Sequence, residues 1–169
     1  QAVLGQLAER AGELHLPVTL ITFEPQPREY FMPESAPPRL TRFREKLEVL
    51  RRCGVERVLC LRFNDHLANL SAEDFIRIIL VSGLDVKYLV VGDDFRFGQG
   101  RAGDIAMLRW AGVEHGFAVE DMNTYMLDAQ RVSSTRIREA LSAGDFEAAE
   151  AAYMAMISAY PADADAFGE

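Results

Sequence analysis

Three times in succession this chain sets out a helix-period segment, a glycine stop and a short apolar run, and that alternation leaves few folds open. Thr41 is placed to cap a helix through Phe43, Leu47 and Leu50, Gly54 stops it, and residues 55–63 read as a strand. Ser71 and Asp74 form a capping-box pattern before Phe75, Ile76, Ile79 and Leu80, Gly83 ends that helix, and residues 86–91 are the next strand. Asp104 opens a third helix through Met107, Leu108 and Trp110 that is expected to stop near Gly112, with residues 117–120 as its strand. Ahead of these lie a helix carrying Leu4, Leu7, Ala8, Ala11 and Leu14, bracketed by Gly12 and Pro17, and a strand at residues 18–23. Strands alternating with helices of this length predict an α/β fold, a doubly wound parallel sheet of Rossmann-like type with ligands at the carboxyl ends of the strands. Residues 24–40 hold Pro25, Pro27, Pro33, Pro37 and Pro38 and are expected to form no regular element. Such a sheet opens on a strand, so one is expected ahead of Gln1.

Composition narrows the partners. With 169 residues, 49% of them hydrophobic, the chain can bury one substantial core, and no apolar run approaches the ~20 residues a spanning helix needs. A formal charge of −8 repels nucleic acid and anionic lipid, so neither is an expected partner and any phosphate site must be local. Cys53 and Cys60 suit reduced core thiols, which fits a cytoplasmic protein. His15, His66 and His115 have no partner at zinc-ligand spacing, so no metal-ligating residues are expected.

Two stretches carry chemistry. Residues 92–103, Gly-Asp-Asp-Phe-Arg-Phe-Gly-Gln-Gly-Arg-Ala-Gly, follow a predicted strand directly. Phe95 and Phe97 can pack on a planar ring while Gly92, Asp93, Asp94 and Gly98 offer backbone amides and carboxylates to its polar edge. The alternative is that the glycines only turn the chain and the phenylalanines only fill the core. Gly98, Gly100 and Gly103 also spell G-x-G-x-x-G, with Glu120 further on, which raises a dinucleotide site. That reading ranks second, because residues 93–97 separate Gly98 from the strand end where the first glycine belongs.

The second stretch is residues 131–138, Arg-Val-Ser-Ser-Thr-Arg-Ile-Arg, leading into a helix that Gly144 ends. Ser133, Ser134 and Thr135 at a helix start, with its unpaired amides, make a small anion cradle. Arg138 lies three and four residues on and returns to the same face, and Arg131 adds charge. A plain hydroxyl cap with solvated arginines is the competing account.

Four segments in order, Thr-Phe-Glu-Pro-Gln-Pro at 22–27, Arg-Leu-Thr at 39–41 with Glu-Lys-Leu at 45–47, Val-Gly-Asp-Asp-Phe-Arg-Phe-Gly at 91–98 and Val-Ser-Ser-Thr-Arg-Ile-Arg at 132–138, carry a resemblance. From residue 1 to about 149 the sequence resembles the adenylyltransferase module of the bacterial bifunctional riboflavin kinase/FAD synthetase family, of the nucleotidyltransferase superfamily. The resemblance implies transfer of AMP from ATP to FMN with Mg²⁺ present, giving FAD and pyrophosphate. It implies that residues 92–98 hold the flavin, that Ser133, Ser134, Thr135 and Arg138 hold ATP phosphates, and that Phe23, Pro25 and Pro27 border the nucleotide. It also implies a riboflavin kinase domain in the same polypeptide and a His-x-Gly-His motif after the first strand. That motif is expected in a segment ahead of Gln1, the alternative being a protein that has lost it. Residues 150–169 match no family segment; an Ala-rich helix and a polar tail are expected there. Two rivals remain at this point, an NAD-binding oxidoreductase domain and a non-catalytic flavin-binding module.

Overall fold

The computed structural model describes residues 2–92, 94–122, 126–127, 130–131 and 134–158. Helices and strands alternate along them: α1 (Ala2–Leu14), β1 (Thr19–Glu24), α2 (Pro27–Phe31), α3 (Phe43–Arg52), β2 (Arg57–Arg62), α4 (Asp65–Ala68), α5 (Ala72–Asp74) running on as a π-helix (Phe75–Gly83), β3 (Tyr88–Gly92), α6 (Ile105–His115), β4 (Ala118–Met122), the two-residue β5 (Met126–Leu127) and β6 (Gln130–Arg131), α7 (Ser134–Ser142) and α8 (Phe146–Ser158). Strands pair β1 with β2, β3 with β4 and β5 with β6. The β3–β4 pair is parallel, with Tyr88 opposite Ala118 and Gly92 opposite Met122. In β1–β2 the Val18 carbonyl accepts from Arg57 N and the Glu24 carbonyl from Phe63 N, both at 3.0 Å, and this constant offset in one direction is also that of a parallel pair. The architecture is mixed α/β with small parallel sheets.

The chain divides into two compact units. The first comprises Gln1–Thr22, Phe31–Leu61 and Tyr125–Glu169. Val18 and Val55 are buried at its strand starts, where the Glu56 carboxylate also accepts from Val18 N at 3.1 Å. The cap of α3 is Arg42, one residue later than the Thr41 expected: the Glu45 carboxylate reaches back to Arg42 N at 2.8 Å, so the acidic residue satisfies the helix start without a hydroxyl. Neither cysteine lies in the core as expected: Cys53 is half-buried and Cys60 is exposed. A strand's two-residue period puts it on the face of β2 that also carries the exposed Arg62. Ile137 of α7 is buried, as are Ala149 and Ala152 of α8. Helix α8 runs unbroken through residues 149 and 150, in keeping with the Ala-rich helix expected there.

The second unit comprises Phe23–Tyr30 and Arg62–Thr124, and its core is Ala72, Phe75, Ile76, Leu80, Val91, Phe97, Leu108 and Phe117. Ser71 caps α5, its hydroxyl accepting from Asp74 N at 3.0 Å as the capping pattern predicts. The π-winding of the next nine residues was not foreseen; it buries Phe75, Ile76 and Leu80. Helix α6 starts where predicted, Asp104 accepting from Met107 N at 2.9 Å, but ends at Gly116 (φ 76°) instead of near Gly112. Gly112 serves packing: a Cβ there would lie 2.4 Å from the Phe117 carbonyl oxygen. The proline-rich stretch also holds a regular element after all, since α2 begins on Pro27, a position where a missing N–H costs nothing. No helix among the described residues is long and apolar enough to cross a membrane.

Candidate functional site

The loop leaving the carboxyl end of β3 is built from its own backbone. Phe95 N donates to the Gly92 carbonyl at 3.0 Å. Phe97 and Gly103 then bond reciprocally, at 3.1 and 2.9 Å, closing the loop on itself. Phe97 is 6% exposed, 5.4 Å from Phe75, and sits so tightly under Gly103 that a Cβ there would come within 2.6 Å of its ring. Phe95 stacks on Phe97 at 5.6 Å with an 18° interplanar angle and is only half-buried, and Asp94 is exposed. The two phenylalanines therefore differ: Phe97 is core, and Phe95 is the ring it supports. Asp93 lies outside the described residues.

The same geometry disposes of the dinucleotide fingerprint. The amides of Phe97, Gln99, Arg101, Ala102 and Gly103 all donate within the unit, to Gly103, Leu70, Gly98, Gln99 and Phe97 respectively. Gly98 (φ 74°) lies against Ala72, where a Cβ would approach its backbone to 2.6 Å. The start of α6 is occupied by the Asp104 carboxylate, an anion where a pyrophosphate would have to sit. The three glycines serve turning and close packing.

Residues 23–27 lead from β1 into α2. Phe23 meets Phe63 edge to face at 5.9 Å, and Tyr30 meets the same Phe63 ring at 5.2 Å. Gln26 N is capped by the Glu29 carboxylate at 2.9 Å, which sets Pro25 and Pro27 in the turn into α2. The Tyr30 hydroxyl donates to the Asp65 carboxylate, and that bond is the main reason its pKa is raised above the usual phenol value. The Tyr30–Asp65 bond joins residues 35 apart, which only the fold brings into contact.

At the other stretch, Ser134 and Thr135 begin α7, as the cradle requires of the backbone. Val132 and Ser133 lie outside the described residues, and so do the side chains of Arg131, Ser134 and Thr135. Arg138 was expected to fold back to the hydroxyl face. Its Nε donates to the Pro38 carbonyl at 2.8 Å, a partner 100 residues earlier that spacing along α7 cannot reveal, while the hydroxyl face itself lies outside the described side chains. Among the described residues no group of three or more His, Cys, Asp or Glu side chains is arranged to hold a metal ion.

Parallel strand pairs joined through helices, with an aromatic loop at a strand's carboxyl end, define a mixed α/β protein. Residues 1–136 match the family model described as FAD synthetase, and the chain belongs to that family. It is similar to the bifunctional riboflavin kinase/FMN adenylyltransferase of Pseudomonas fluorescens, 53% identical over 150 residues covering 89% of this chain and 48% of the relative. The proteins of that name from Escherichia coli (strain K12) and Haemophilus influenzae are each 48% identical over 150 residues, covering 89% of this chain and 48% and 49% of theirs. The chain thus spans about half the length of these curated relatives. A crystal structure described as a macrolide-efflux protein from Streptococcus pneumoniae superposes with a TM-score of 0.73 at 24% identity, covering 88% of this chain and 49% of that one, a likeness of fold alone.

Proposed function

We propose that this chain is the FMN adenylyltransferase module of a cytoplasmic bifunctional flavin enzyme, with a doubly wound nucleotidyltransferase sheet over residues 1–149. The observation that carries the reading is the FAD synthetase match over residues 1–136, which takes in the aromatic loop and the start of α7. The printed names of the relatives support it, and they support a riboflavin kinase domain in the same polypeptide. The buried Phe97 and the internally bonded amides count against the NAD alternative.

In this reading a phosphate oxygen of FMN attacks the α-phosphorus of ATP. One P–O bond forms, the bond to the β-phosphate oxygen breaks, and pyrophosphate leaves with the electron pair. No covalent protein intermediate is needed, so the chain's task is to orient two anions and offset the charge that develops. Phe95, supported from behind by Phe97, offers its ring to the isoalloxazine, and Gly92, Asp93, Asp94 and Gly98 meet the polar edge. Ser133, Ser134 and Thr135 offer hydroxyls and helix-start amides to the triphosphate, with Arg131 and Arg138 as cations; Phe23, Pro25 and Pro27 border the nucleotide. Mg²⁺ enters with ATP as part of that substrate. Nothing in the scheme requires nucleic acid or a membrane.

The purified protein incubated with ATP, Mg²⁺ and FMN should yield FAD by chromatography. Arg138→Ala should lower kcat/KM by about tenfold or more while leaving the circular dichroism spectrum unchanged, the loss of one charge-assisted phosphate contact. Tight NAD binding with no FAD formed would sink the proposal.

A further inference from the structure

The aromatic loop does not stand alone on β3. It rests on the turn joining α4 to α5, and its contacts there are of three independent kinds. Gln99 N donates to the Leu70 carbonyl at 2.8 Å. The Gln99 side-chain amide donates from Nε2 to Asn69 Oδ1 at 3.0 Å. Gly98 lies so close over Ala72 that no side chain fits between them, a Cβ coming within 2.6 Å of both Ala72 N and Cα.

The turn is itself held on both sides. Asn69 Nδ2 donates to the Asp65 carbonyl at 2.8 Å, so the amide of Asn69 is oriented and presents its oxygen to Gln99. The Ser71 hydroxyl caps α5 through Asp74 N, and Ala72 is 2% exposed. The loop is therefore fixed at β3 through Gly92, at the Phe97–Gly103 bridge, and at this turn; Phe95 lies between the first and the other two and stacks on the bridge residue Phe97.

We infer that the turn at residues 69–72 is the seat that sets the height and tilt of the flavin-facing loop, making Asn69, Leu70 and Ala72 positioning residues of the flavin subsite. The inference rests on the adenylyl-transfer reading above for the identity of the ligand. Substrate placement is where small displacements cost most, a shift of about 1 Å being worth up to about a hundredfold in rate. An exposed hydrogen bond is a weaker constraint than a steric seat, so the two kinds of contact should differ in effect.

The test is to measure FMN dissociation constants by quenching of flavin fluorescence, and KM for FMN and for ATP in FAD formation, on Asn69→Ala, Gln99→Ala, their double variant, Gln99→Glu and Ala72→Val. Asn69→Ala and Gln99→Ala should each weaken FMN about two- to fivefold, and the double variant no more than Asn69→Ala alone, because the shared bond is lost once and the bond to the Asp65 carbonyl goes with Asn69. Gln99→Glu should behave like Gln99→Ala or worse, since a carboxylate would face the fixed Asn69 oxygen. Ala72→Val, which lifts Gly98, should weaken FMN about tenfold or more, and KM for ATP should stay within about twofold in every variant. If Ala72→Val does not fold, the exposed pair still decides. Unchanged FMN binding in both single variants, or equal rises in the KM of both substrates, overturns the seat. A protein that binds FMN with the expected variant pattern yet makes no FAD upholds the seat and sinks adenylyl transfer. Failure of the unsubstituted protein to bind FMN sinks both.

Discussion

Phe95 and Phe97 stand two residues apart, the spacing that puts side chains of an extended segment on one face, yet only one of them is available to a ligand. Period-two reasoning treats them as equals; burial separates them, because Phe97 meets Phe75 and Gly103 while Phe95 stacks on its outer side. Gly103 makes this possible by lacking a Cβ. Gly103→Ala would bring a methyl carbon to 2.6 Å from the Phe97 ring and must displace one or the other. Overpacking of this kind costs about 1–3 kcal/mol, so a urea titration should show a lower midpoint with an unchanged slope. A midpoint equal to that of the unsubstituted protein would mean that the ring yields freely, and Phe97 would not be the fixed support assigned to it.

The elements most legible in the sequence are those that announce their own starts. Ser71 and Asp104 cap α5 and α6 as their residue types and the apolar residues after them predict. Helix ends were harder. Gly112 looks like a stop to any reading of local pattern, yet it packs inside α6 against the Phe117 carbonyl and leaves the left-handed turn to Gly116. The π-winding from Phe75 to Gly83 had no local signal either, since its apolar residues suit an α-helix equally well. Asp104→Ala should cost about 1 kcal/mol from the lost cap, lowering the thermal midpoint by about 2–4 °C in a chain of this size. The half-exposed Arg96–Asp104 pair at 3.9 Å should add little to that. Asp104→Asn, which keeps a capping oxygen, should recover most of the loss in the same calorimetric measurement.

For the molecule as a whole, a formal charge of −8 sets a background field that disfavours anionic ligands, so the proposed binding of FMN and ATP would have to come from short-range contacts that outweigh it. Ligand binding to the folded state alone stabilises it by mass action. At a concentration one hundred times the dissociation constant the gain is about 2.7 kcal/mol, or about 5–10 °C in thermal midpoint for a chain of this length. Scanning calorimetry should therefore show a shift of that order with FMN and no comparable shift with NAD. The reverse result would favour the oxidoreductase rival.

What the sequence determined by itself is what short-range physics encodes: the alternation of helix and strand, the caps at Ser71 and Asp104, the family segments at 22–27 and 91–98, and the place of the aromatic loop at a strand's carboxyl end. Tertiary structure decided everything that depends on a partner far along the chain. It buried Phe97, seated Gly98 on Ala72, joined Tyr30 to Asp65 and bound Arg138 to the Pro38 carbonyl. Local pattern records which conformation a segment prefers, whereas these contacts follow from where the folded backbone brings distant residues together, and no spacing within one element carries that information.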